Sequence, residues 1–117
     1  MNIIFGDAIN QVADTHTVLE LDTFKVMPSE QLVTTYCVID NLPLTEFAQL
    51  ENNKHIHQQL IEQYRLRNWA YCQGAVHSLM GCWNGEMDTF YQHLAQRIDE
   101  CIANPPGEDW TPIITRH

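Results

Sequence analysis

The 117-residue sequence predicts an α+β fold, in which a short N-terminal helix and a β-hairpin precede three antiparallel helices. Three observations lead to this prediction. Residues 17–40 are rich in Val, Leu, Ile and Thr around a Pro-Ser step, a pattern typical of two strands and a turn. After Pro43, apolar residues recur at spacings of three and four, as they do on one face of a helix. The apolar fraction of 44% is enough for one core, so we expect a single domain over residues 1–117.

The first part of this domain, residues 1–42, is predicted to contain the helix and the hairpin. The stretch "GDAINQVAD" places Ala8, Ile9 and Val12 on roughly one side of a short helix, and Asp7 suits its N-terminus. The strands are expected in "TVLELDTFKV" and "LVTTYCVID", joined by the turn "MPSEQ".

The helical part is predicted over residues 43–104, with Thr45 as the first cap. Its apolar stripes are Phe47, Leu50, His57, Leu60, Ile61 and Tyr64; then Trp69, Cys72, Val76, Leu79, Met80 and Trp83; then Met87, Phe90, Tyr91, Leu94, Ala95, Ile98 and Ile102. Short connections predict that neighbouring helices pack antiparallel, as in a tetratricopeptide-like helical hairpin. The "NPPGEDW" stretch ends the last helix, and residues 105–117 form an extended tail whose Trp110 folds back on a helix end.

Charge and cysteine content exclude several classes of function. Fifteen acidic against six basic residues give a net charge of −9, so neither nucleic acid nor an anionic membrane is an expected partner. No apolar run reaches the roughly 18 residues of a membrane span, and the N-terminus lacks a signal-peptide pattern. The four cysteines form no CxxC pair, so we expect buried, reduced thiols in a cytoplasmic protein.

The order of these segments resembles the C-terminal end of bacterial class III adenylate and guanylate cyclases. The family's hairpin is matched by "ELDTFKVMPSEQLVTTYCV", and its helical tail by "EQYRLRNWAYCQGAVHSL" and "DTFYQHLAQRIDECIANPPGEDW". The resemblance implies the last helix and hairpin of a cyclase domain, followed by a tetratricopeptide-like tail, without the catalytic region. No catalytic residue is carried over, because the family's metal-binding carboxylates belong to the region upstream of the match and "GDAINQVA" lacks the arginine of the family's similar motif. The basic hairpin loop of the family is replaced by "MPSEQ", so no role of that loop is carried over either.

The side chains that could perform chemistry do not form a convincing reactive site in the sequence. His55 and His57 are two apart and would point in different directions on a helix, and Cys72 lies on an apolar stripe. We therefore predict no catalytic residue, no metal site and no cofactor. The compact basic and aromatic group Tyr64, Arg65, Arg67 and Trp69 is the predicted binding surface. The alternative for this group is ordinary pairing of Glu62 with Arg65 and a solvent-exposed Arg67.

These observations favour a non-catalytic protein-interaction or regulatory module related to a cyclase tail. It would bind a protein or peptide partner between helices, or form a homo-oligomer through the unpaired edge of the hairpin. Regulation of a cyclase by replacing its tail is a variant of this function. The alternative from another class is a small metal-binding protein or enzyme that uses His57, His77, Cys72 or His93.

Overall fold

The computed structural model describes residues 2–9, 16–39 and 44–116. The chain divides into two compact units, Met1–Asn41 with Pro112–His117 and Leu42–Thr111. The first unit contains a β-sheet, and the second contains the long helices. The prediction that residues 1–117 act as one domain stays a prediction.

Among the described residues the sheet has four strands, whereas the predicted hairpin has two. They are β1 (Asn2–Phe5), β2 (Thr17–Val26), β3 (Gln31–Ile39) and β4 (Ile114–Arg116), in the spatial order β1-β3-β2-β4. β1 and β2 are each antiparallel to β3, whereas β4 is parallel to β2. The predicted extended tail therefore contributes a strand.

The prediction that the chain starts with a helix and a lone hairpin is wrong. Asn2–Phe5 is a strand that pairs with β3, from Asn2 opposite Val38 to Phe5 opposite Thr35. Its Ile-Ile-Phe run favours a strand, and an isolated hairpin is only marginally stable until a third strand joins it. Within the predicted helix, Gly6–Ala8 form one 3-10 turn, and residues 10–14 lie outside the described part of the chain.

A β-bulge changes which side chains of β2 share a face. Leu19 pairs with Cys37 before the bulge, and Phe24 pairs with Val33 after it, with the register shift between Glu20 and Thr23. Because the bulge adds one residue to β2, odd-numbered residues lie on this face before it and even-numbered residues after it. The face therefore carries the buried Leu19 early in the strand and Phe24 later.

The helical unit contains three long helices preceded by a short one. They are α1 (Leu44–Phe47), α2 (Leu50–Arg65), α3 (Trp69–Leu79) and α4 (Asp88–Ala103). α2 contacts α3, and α3 contacts α4. Phe47, predicted on the stripe of the first long helix, lies on α1 and is exposed. Trp83 lies beyond α3, where it is the buried residue of the 3-10 turn Trp83–Gly85. The helix ends because Met80 takes an extended ψ of 133°, and Gly81 (φ +83°) then completes a tight turn in which the N–H of Cys82 donates to the carbonyl of Leu79.

The core of the helical unit follows the predicted stripes. Its buried residues are His57, Leu60, Ile61, Tyr64, Cys72, Ala75, Val76, Leu79, Trp83, Met87, Phe90, Tyr91, Leu94 and Ile98. One helical face therefore carries most of the burial in each of α2, α3 and α4. In the part of the chain that the structure describes, no helix has the length and apolar character needed to cross a membrane.

Candidate functional site

The predicted binding group lies at the corner between α2 and α3. At the end of α2, the N–H of Arg67 donates to the carbonyl of Tyr64 (3.1 Å), and the N–H of Asn68 donates to that of Gln63 (2.9 Å). These two bonds form a Schellman motif, in which the residue after the cap takes a left-handed conformation and is usually glycine. Here that residue is Arg67, with a φ of 62°. Arg67 therefore has a strained backbone, which a glycine at this position would avoid.

The side chain of Arg67 explains why an arginine stands in this strained position. Its Nη2 donates to the carbonyl oxygens of Gly107 (2.9 Å), Glu108 (3.3 Å) and Trp110 (3.2 Å). Its Nη1 lies 3.5 Å from the carbonyl oxygen of Pro106, and its guanidinium carbon lies 5.2 Å from the centre of the Trp110 ring. Arg67 thus ties the segment after α4 to the end of α2 by charge-assisted hydrogen bonds and a cation–π contact.

Three aromatic rings complete this corner. The ring centres of Tyr64, Trp69 and Trp110 lie 5.3–5.7 Å apart, and each pair meets edge to face. Arg97 from α4 lies over the Tyr64 ring at 5.9 Å. At these distances the rings are in direct contact, so there is no space between them for a ligand. Trp110 folds back on the end of α2, where the sequence predicts it.

The four predicted binding residues are brought together, but with different roles. Tyr64 is buried, and Trp69 and Arg67 are half-buried in contacts with their own chain. Arg65 is exposed on the last turn of α2. A binding role for the group stays a prediction, and the observed contacts assign Tyr64, Arg67 and Trp69 to the packing of the helical unit.

A buried polar network occupies the centre of the helical unit. His57, only 2% exposed, forms a 2.9 Å hydrogen bond between its Nδ1 and the hydroxyl of Tyr91. The indole Nε1 of Trp83 donates to the same hydroxyl at 3.0 Å. Burying these groups costs little because each has a partner. His57 is therefore a packed histidine, as the apolar stripe predicts.

Cys72 and Cys82 are thiols in environments that disfavour the thiolate. Burial raises the pKa of Cys72 to about 11, and its Sγ–H points to the carbonyl of Leu60 at 3.8 Å. Burial also raises the pKa of Cys82, as do the carboxylates of Glu46 and Asp88. Since the thiolate is the nucleophile and the metal ligand, both cysteines are poorly suited to either role. Among residues 2–9, 16–39 and 44–116, no group of three His, Cys, Asp or Glu side chains could hold a metal ion.

The sheet unit has an open apolar depression, which we call the sheet groove. It is lined by Phe5, Phe24, Val26 and Val33 and has a volume of about 440 Å³. The register explains its composition: Phe24 lies opposite Val33, and Phe5 lies opposite Thr35, two residues along β3 from Val33. All four side chains therefore lie on one face of the sheet, and Phe5 remains 60% exposed.

The sheet groove lies where β1 ends. Pairing of β1 with β3 stops at Phe5 opposite Thr35, whereas β3 begins four residues earlier, at Gln31. The chain leaves β1 in the turn Gly6–Ala8, which contacts β3 without pairing as a strand. In the described residues, Gln31–Thr34 thus pairs with β2 on one side and with no strand on the other.

Sequence reasoning did not find the sheet groove. Its four residues come from three strands, and two of them share the groove face only because of the bulge in β2. The available signal was the apolar "IIF" run, which suits a strand better than a loop before a helix.

Comparison of the chain with protein-family models, with curated proteins and with solved structures finds no match. The resemblance to the tails of class III cyclases therefore stays a prediction. Only the geometry of the chain itself indicates a function.

Proposed function

We propose that the chain is a non-catalytic protein-interaction module that holds an apolar segment of a partner protein in the sheet groove. The observation that carries this proposal is an apolar groove in which Phe5 remains 60% exposed and Val26 remains 38% exposed. Apolar surface left in water costs free energy, about 25 cal/mol per Å², which a partner that covers it recovers. Contiguous apolar depressions on a protein surface are accordingly typical of interaction sites.

The chemistry of the thiols supports a non-catalytic function. With a pKa of about 11, the Cys72 thiol is almost fully protonated near neutral pH. The proposal includes a cytoplasmic location, where the four thiols would stay reduced.

Descent from a cyclase tail is part of the same proposal. Its support is the order of "ELD", "YRLRNW" and "PPGEDW" along the chain. In that case the partner would belong to a signalling pathway, and regulation of a cyclase is one form that the interaction could take.

The test uses two substitutions of similar exposure on opposite faces of the sheet. Phe5 is 60% exposed in the groove, and Leu32 is 57% exposed on the other face, since it is the neighbour of Val33 on β3. Wild type, Phe5→Glu and Leu32→Glu are immobilised, and partners are captured from lysate and quantified by mass spectrometry. Thermal unfolding of each variant is measured first, to verify that each one is folded.

A partner that is retained by wild type and Leu32→Glu, and lost by Phe5→Glu, supports the proposal. Arg65→Glu is a further arm, because Arg65 is the exposed member of the predicted corner group. If a partner is lost only by Arg65→Glu, the binding surface lies at that corner and not in the sheet groove. Equal capture by all four proteins would refute an interaction through either surface.

A further inference from the structure

The residues around the sheet groove indicate what kind of segment fits it. β3 extends past the end of β1 by the four residues Gln31–Thr34. In an extended strand, alternate residues direct their N–H and C=O groups to the same edge. Part of the Gln31–Thr34 backbone therefore faces the side on which the described residues provide no strand. A segment that lies there borders the groove and is next to the turn Gly6–Ala8, which itself contacts β3.

The size of the groove favours a short segment over a folded partner surface. Its volume of about 440 Å³ lies in the range of roughly 300–1,000 Å³ that is typical of sites for small ligands. A standard interface between folded proteins uses roughly 20–30 residues on each side. The four groove residues would be only a small part of such an interface, whereas a short segment can be accommodated by the groove itself.

The geometry of a strand matches the groove. Side chains at positions i and i+2 of a strand lie on one face, about 6.6–6.8 Å apart. Two apolar side chains at this spacing can enter the groove together, while the backbone between them pairs with Gln31–Thr34. The groove lining is apolar, so a small polar ligand would lose its hydration there without gaining hydrogen bonds from the four side chains.

Charge indicates the residues that flank the apolar pair. The chain has a net charge of −9, which repels acidic segments and a second copy alike. Glu30 lies in the turn beside the groove, and its pair with Lys25 (3.7 Å) is exposed and therefore weak. Basic residues next to the apolar pair are thus favoured over acidic ones.

We propose that the occupant of the sheet groove is an extended, basic segment of a partner protein with apolar residues at positions i and i+2. It adds to the sheet as a strand beside Gln31–Thr34. This inference depends on the proposed function, since it specifies the partner of the same groove.

The test uses synthetic peptides and the full chain. The probe is a short peptide in which one threonine separates two leucines and lysines stand at both ends. One control peptide has the same composition with the leucines adjacent. The other is the probe with N-methyl groups on the amides that face β3, which removes hydrogen-bond donors. The control variant is Phe47→Glu, because Phe47 is also exposed (52%) and lies on α1 of the helical unit. Binding to wild type, Phe5→Glu and Phe47→Glu is measured by calorimetry, and the contact site by the amide NMR shifts of Gln31–Thr34.

We expect the probe to bind at least about tenfold more tightly than either control peptide, which corresponds to about 1.4 kcal/mol. We also expect binding to be lost in Phe5→Glu, to be kept in Phe47→Glu, and to shift the amide signals of Gln31–Thr34. If all peptides bind equally and only Phe5→Glu prevents it, the groove is a binding site but strand addition is refuted. Binding that does not depend on Phe5 refutes both the inference and the groove as an interaction site.

Two further outcomes overturn the inference alone. The first is that wild type binds no peptide, although it captures a partner from lysate through Phe5. The second is sedimentation of the wild type as a dimer that Phe5→Glu dissociates, because the occupant would then be a second copy.

Discussion

Two effects act at Arg67: its side-chain contacts stabilise the helical unit, and its left-handed backbone conformation destabilises it. Replacement by alanine and by glycine separates them. Both substitutions remove the hydrogen bonds from the guanidinium to the backbone of residues 106–110 and the contact with Trp110. For a half-buried arginine, we expect these contacts to contribute about 2–3 kcal/mol together. Only glycine also removes the strain of a left-handed backbone.

The difference between the two variants follows from the φ of 62°. A left-handed conformation costs a residue with a Cβ about 1–2 kcal/mol. Glycine avoids this cost, but it also raises the conformational entropy of the unfolded chain, which destabilises the folded state by about 0.5–1 kcal/mol. We therefore expect Arg67→Gly to be about 0.5–1 kcal/mol more stable than Arg67→Ala, with both less stable than wild type. The measurement is urea unfolding followed by circular dichroism.

Arg65 provides the matched control, because it lies two residues earlier in the right-handed last turn of α2. There the order should reverse, since alanine is favoured over glycine in a helix by about 1 kcal/mol. If Arg67→Ala is as stable as Arg67→Gly, the account of strain in the Schellman motif is wrong. If both Arg67 variants are as stable as wild type, the contacts of Arg67 with residues 106–110 contribute nothing to the free energy of unfolding.

Three further predictions concern the helical unit. Tyr91→Phe leaves two buried ring nitrogens without the oxygen they share, so urea unfolding should show a loss of about 2–4 kcal/mol. The thiol of Cys72 has a raised pKa of about 11 against 9.0 when unfolded, so its contribution to stability is complete below pH 9 and is lost as the pH rises to 11. Relative to Cys72→Ala, wild type should lose about 2 kcal/mol over that interval. Glu46→Gln should lower the pKa of Cys82 and speed its alkylation by iodoacetamide near neutral pH.

Each of these predictions has its own control. Tyr71→Phe, on an exposed tyrosine, should change the unfolding free energy little, and a similar value for Tyr91→Phe would contradict a role for the buried network. Parallel pH profiles of wild type and Cys72→Ala would show that the folded environment does not hold the proton on this thiol. For Cys82, alkylation is followed by peptide mass spectrometry, with Cys72 as the internal reference. An unchanged ratio of the two rates would argue against the influence of Glu46.

The helices illustrate what local pattern can predict. His57, Leu60 and Tyr64 recur at spacings of three and four, and all three are buried in α2. A helix forms its hydrogen bonds within one segment, so its buried face can be read from that segment. The end of α3 before Trp83 was missed, because an apolar stripe continues across a turn as easily as along a helix.

The N-terminus illustrates the opposite case. The Ile-Ile-Phe run of Asn2–Phe5 favours a strand, but the backbone hydrogen bonds that stabilise this strand go to β3, 30 to 36 residues away in the sequence. The same holds for Ile114–Arg116, which pairs with β2 from the other end of the chain. A strand is stable only in the presence of its neighbour, and a single sequence does not identify that neighbour.

By itself, the sequence determined the charge of the protein, the presence of both strands and helices, and the apolar faces that α2, α3 and α4 bury. These are properties of composition and of contacts within a few residues. The tertiary structure decided which apolar surfaces remain exposed. It gives Arg67 a structural role through atoms about 40 residues away, and it assembles the sheet groove from three strands and a bulge. Such contacts form only when distant segments pack together, because neither segment gains the stabilising free energy alone.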